Sequence, residues 1–112
     1  MRLNPYDLYL GRLRRHVPLP VDIVFVRNLS TRTNDIAWCS KPRSAKGRFR
    51  IEVDDTLLLP IHMDFLAQLL IHEWAHALSW GMEKPDHGDL MGLAWSRCYR
   101  VAVEGWRPCD PW

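Results

Sequence analysis

Residues 65–80 read FLAQLLIHEWAHALSW, an almost unbroken apolar run that carries two histidines and one glutamate. Phe65, Leu66, Leu69, Leu70, Ala77 and Leu78 recur at the three- and four-residue spacing of a buried helix face. Asp64 stands where a helix start favours an acid, shortly after the breaker Pro60, and Gly81 follows the last periodic residue as a helix stop. The stretch predicts one long, largely buried helix. Ionisable side chains are costly to bury there unless something compensates them, and a metal ion does so.

On such a helix His72 and His76, four residues apart, share a face and can hold one ion between them. Glu73 projects beside the pair, where a carboxylate can accept a proton from a metal-bound water. The H-E-x-x-H pattern is that of zinc peptidases. Zinc that performs chemistry needs a third protein ligand and an open fourth position. The chain has five histidines. His16 stands among Arg14, Arg15 and Pro18 and reads as a solvated helix end. His62 precedes His72 by ten residues, roughly 15 Å along a continuous helix axis, too far to share the ion. The extended H-E-x-x-H-x-x-G-x-x-H pattern fails, because Ser79 and Met82 occupy its glycine and final histidine positions. His87 and Glu104 remain, and on one helix they would lie about 25 Å apart, so only one can bind. His87 is nearer in sequence, beyond the turn-rich Gly81–Asp86 connection, and is the expected third ligand, presented from the first turn of a second helix.

The run HEWAHALSW, followed by DHGDLMGLAWSRCYR, resembles the SprT-like (Spartan-type) zinc metallopeptidase domain over about residues 64–100. That family has H-E-x-x-H, a loop, and then H-G-x-x-aromatic opening the next helix. His72, Glu73 and His76 match the first half, and His87 with Gly88 the second. Met91 stands where the family usually carries an aromatic residue, with Trp95 one helical turn later, and the Cys-based zinc ribbon of some members is missing. The resemblance implies an endopeptidase with Zn2+ as cofactor, and DNA-bound proteins as a class of substrate.

The remaining sequence predicts a small α+β domain, a zincin-like single unit over residues 1–112. Asn4-Pro5 opens a helix in which Tyr6, Leu10 and Leu13 recur, ending before Pro18. Val21–Val26, Ile36–Cys39 and Arg48–Asp54 read as strands, the last by clean alternation. The expected order is an N-terminal helix, about three strands packed on the motif helix, and a second helix carrying the third ligand. An edge strand beside a metal-bearing helix can pair with an extended peptide, and Arg48–Asp54, directly preceding that helix, is the expected edge. No apolar run approaches the ~20 residues that cross a membrane, and Met1–Pro5 has no signal-peptide character. Cys39, Cys98 and Cys109 are odd in number and unpaired in spacing, as suits a reducing compartment. A cytoplasmic setting in a bacterium or a phage-infected host cell follows as the expectation.

Charge is unevenly spread. Residues 1–50 hold 11 Lys and Arg against 3 Asp and Glu, whereas residues 51–112 hold 4 against 10. Lys41, Arg43, Lys46 and Arg48 form a basic cluster, which reads as a solvated face that offsets the acidic half or as a surface that can meet DNA phosphates. The leading expectation is a zinc-dependent endopeptidase acting on a protein or peptide substrate, with Glu73 as catalytic base and Tyr99 or Arg100 as candidate oxyanion donors. Two competitors are a non-catalytic zinc-stabilised nucleic-acid-binding module and a metal-dependent phosphodiesterase. Glu73 argues against the first, since a structural site has no use for a carboxylate there and normally has four protein ligands.

Overall fold

The computed structural model describes residues 5–27, 29, 36–41, 47–82 and 87–105. The first helix, α1, runs Pro5–His16. Proline suits the first helical position because the amide it lacks has no partner there, and Arg14, Arg15 and His16 complement the dipole at the far end. Three strands follow, β1 (Val21–Val26), β2 (Ala37–Ser40) and β3 (Phe49–Asp54). Short 3-10 turns at Asp55–Leu57 and Pro60–His62 then lead into α2 (Met63–Leu78), and α3 spans Asp89–Ala102. Helix, three strands, then two helices is the α+β layout expected, with boundaries displaced by one residue at Ala37, Ser40, Phe49 and Met63 and by two at Leu78.

The sheet order is β1-β3-β2, with β1 parallel and β2 antiparallel to β3. This corrects one expectation. β3 lies in the middle, paired on both sides, and leaves no edge for an added peptide; among the described residues that edge belongs to β2. The physical reason is burial. β3 buries Phe49, Ile51, Val53 and Asp54, whereas β2 buries none of its residues. A strand that contributes this much to the core is covered best at the centre of a small sheet, and adjacency in sequence to a helix does not decide lateral order.

The core is one cluster between sheet and helices. α2 packs against α1, α3 and the edge strand β2. Its inward face carries Leu66, Ala67, Leu70, Ile71, Trp74, Ala75 and Ala77, all buried. Trp74 is fully buried and donates its indole N–H to the Val17 carbonyl at 3.0 Å, which fixes α2 to the end of α1. Ser79 ends the helix by donating backbone N–H and hydroxyl to the Ala75 carbonyl, at 3.0 and 2.9 Å. Gly81, at φ +71°, then turns the chain through the left-handed region that glycine enters without a steric penalty. α3 buries Met91, Ala94, Cys98, Val101 and Ala102 at helical spacing, and Arg12 of α1 donates to its terminal Ala102 carbonyl at 2.8 Å. No helix among the described residues is long and apolar enough to cross a membrane.

Candidate metal centre

The core face of α2 determines what its other face presents. With Trp74 and Ala75 buried, His72, Glu73 and His76 face a cleft between α2, the edge strand β2 and the turn before α3. The Nε2 atoms of His72 and His76 lie 3.1 Å apart. His87 completes the group, its ring centroid 5.5 Å from that of His72 and 4.6 Å from that of His76. One ligand atom from each histidine lies within 4.8 Å of the others, an arrangement that can hold a metal ion. His87 is therefore brought to the pair as expected, but from the turn that precedes α3 and not from its first turn: Gly88 is the N-cap and the helix starts at Asp89.

The electrostatics suit a metal. Burial first, and the charge of His87 second, lower the basicity of His72, a shift toward the neutral imidazole that a metal ligand requires. Glu73 is only 5% exposed and lines the same cleft. Cys39 of β2 also faces it, but burial and then the Glu73 charge push its thiol up to about 12, so it stays protonated. Cys39 is not within the ligand group. Among the described residues, three histidines and no fourth His, Cys, Asp or Glu make up the group that could hold a metal ion.

The cleft has two lobes. One, of about 450 Å³, is walled by Ala37, Trp38 and Cys39 on one side and by the three histidines, Trp80 and Gly81 on the other. The second, of about 620 Å³, lies between Ile36, Ala37, Gln68, Leu69 and Trp95. Ala37, His72 and Glu73 line both, so the lobes meet at the metal group.

Other sequence candidates lie elsewhere. His16 ends α1 and His62 is the N-cap residue of α2, and neither joins the histidine group. Glu104 is exposed beyond α3, and Tyr99 and Arg100 line neither lobe. Lys41 sits over the Phe49 ring at 5.4 Å, and Arg48 makes a two-pronged pair with Asp22, its Nε and terminal nitrogen 3.1 and 2.9 Å from the carboxylate. That pair holds the Asp22 carboxyl below its usual range. Arg43, Lys46, Asp86 and Cys109 fall outside the described residues.

Sequence reasoning missed the far wall of the cleft. Ile36-Ala37-Trp38-Cys39 shows no polar–apolar alternation, so its inward side could not be read from pattern. The small size of Ala37 and Cys39 was the one available sign that another element packs close to them. No family model matches this chain, and no curated protein or solved structure matches it either.

Proposed function

We propose that this domain is a zinc-dependent endopeptidase of the SprT-like kind, with His72, His76 and His87 as ligands and Glu73 as catalytic base. The observation that carries the reading is the convergence of three histidines on one point, with a buried carboxylate beside them and no fourth protein ligand among the described residues. Two nitrogens bonded to a tetrahedral zinc at 2.0–2.1 Å are about 3.3 Å apart, and the His72–His76 separation of 3.1 Å fits that requirement. A zinc ion held there supplies Lewis acidity, polarising a carbonyl and acidifying a water.

The protein's own groups do the rest. Glu73, on the rigid α2 and next to His72, accepts the proton of the attacking water and returns it to the leaving amine. Its burial strengthens the exchange by excluding competing solvent. The outer edge of β2, unpaired among the described residues, would offer backbone N–H and C=O groups to an extended substrate and lay the chain across the histidine group. DNA-bound protein is the substrate class we favour, met through Lys41, Arg43, Lys46 and Arg48. Arg48 would have to exchange Asp22 for phosphate to take part.

The deciding experiment offers the zinc-loaded protein a panel of unfolded proteins, with and without DNA, beside RNA and DNA substrates. Cleavage of protein, abolished by Glu73→Gln with zinc retained, is expected. Cleavage of nucleic acid alone, or DNA binding with no cleavage of anything, overturns the proposal.

A further inference from the structure

The second lobe of the cleft has a chemistry of its own. Leu69, one helical turn before His72, lines it together with Ile36 and Trp95, each 38% exposed. Among the described residues of its lining, Glu73 is the one formally charged group and Gln68 the one neutral amide. Trp95 is not a loose surface ring. It stacks on Tyr99, one turn along α3, at 5.1 Å between centroids and 27° between planes. Such packing fixes an indole in advance of binding and leaves its outer face open as apolar surface. Met91, the preceding residue on that side of α3, is buried and plays no part in the lining.

Because His72 and Glu73 line both lobes, this apolar lobe begins at the group that would cut the bond. An extended chain advances about 3.3 Å per residue and turns alternate side chains to one face. A substrate paired with β2 therefore puts a side chain next to the scissile bond into the space between Leu69, Ile36 and Trp95. We propose that this lobe is a subsite for a large uncharged apolar side chain, adjacent to the bond that is cut, and that Trp95 sets the preference. The adjacency to the cut bond rests on the peptidase reading; the lobe's preference for an apolar side chain does not.

The test has two arms, and both use the full chain. In the first, wild type, Trp95→Ala and Trp95→Phe, all zinc-loaded, digest a library of capped heptapeptides, and the cut positions are sequenced. Leucine, phenylalanine and methionine are expected at one position beside the cut. Trp95→Ala is expected to lose that enrichment and to lower kcat/KM on a leucine-flanked peptide roughly tenfold or more beyond any change on a serine-flanked one. Trp95→Phe keeps most of the preference. In the second arm, the Glu73→Gln protein, loaded with zinc, is titrated with the leucine and serine heptapeptides and binding is followed by calorimetry. Tighter binding of the leucine peptide, lost in the Trp95→Ala double variant, is expected.

A profile with no apolar enrichment on either side of the cut, or one unchanged by Trp95→Ala, overturns the subsite and leaves the peptidase standing. Absence of cleavage with the binding preference intact does the reverse. Thermal unfolding of Trp95→Ala guards against misfolding, and Trp95→Phe carries the test if that variant is unstable.

Discussion

Two parts of the molecule supply the metal group, and they are built differently. His72 and His76 stand on successive turns of a helix whose opposite face is the centre of the core, anchored by a fully buried Trp74. Their relative position is fixed by helix geometry before any ion arrives. His87 is exposed, in the turn ahead of α3, and reaches the pair only because α3 docks on α2. Precision thus resides in α2, and completeness depends on the packing of α3. The same division places the one proposed proton-transfer group, Glu73, on the rigid side.

The largest expected effect tests that rigid side chemically. Glu73→Gln keeps shape and takes no ligand away, so it should retain metal and fold while losing about 10²–10⁴-fold in peptidase rate, roughly 3–5 kcal/mol of barrier. Near wild-type cleavage by a zinc-replete variant would dissociate the chemistry from α2. The next effect tests its stiffness. Trp74→Ala removes a fully buried indole and its bond to Val17, and should cost about 3–5 kcal/mol of unfolding free energy, read from denaturant melts. A loss under about 1 kcal/mol would show that α2 is held by something other than this anchor.

His87→Ala probes the other side. Metal affinity should fall by on the order of 100-fold or more, since even neighbours of ligands are worth 10–100-fold. Metal-free stability should change by less than about 0.5 kcal/mol, because the side chain is exposed. Unchanged metal binding would remove His87 from the group.

The smallest expected effect is a pH dependence. In the folded, metal-free protein His72 takes a proton less readily than in the unfolded chain, through burial and then the charge of His87. Below the unfolded value of about 6.5 the unfolded chain therefore binds more protons, and stability falls as pH falls. Thermal midpoints of metal-free protein measured from pH 7.5 down to 5 should decline, and less steeply in His72→Gln. An equal decline in both would assign the effect to other groups.

What could be read from sequence follows the same division. The helix of residues 65–80 declares itself by apolar periodicity, and the spacing of His72 and His76 is a local property of any helix. The α+β order is legible because Pro5, Pro18 and Gly81 punctuate it and because the Phe49–Asp54 region alternates. Lateral strand order was not legible, since β1 and β3 are joined by pairings that no local pattern encodes. Nor was the role of β2 or of Trp95. A cleft is a relation between elements distant in sequence, and Ala37, Leu69 and Trp95 carry no mark of meeting there.

Arg12 holds the carbonyl of Ala102, a contact between residues 90 positions apart. Its consequence concerns time. A chain emerging from the ribosome presents α1 and the sheet first, and domains close as units once their last element is available. Here the final turn of α3 is part of that closure, so the Arg12 contact waits for nearly the whole described sequence, although Trp74 ties α1 to α2 earlier in the chain. The His72–His76 pair can form as soon as α2 does, whereas His87 is delivered only when α3 docks. During synthesis, two of the three histidines are placed with α2 and the third only when α3 docks.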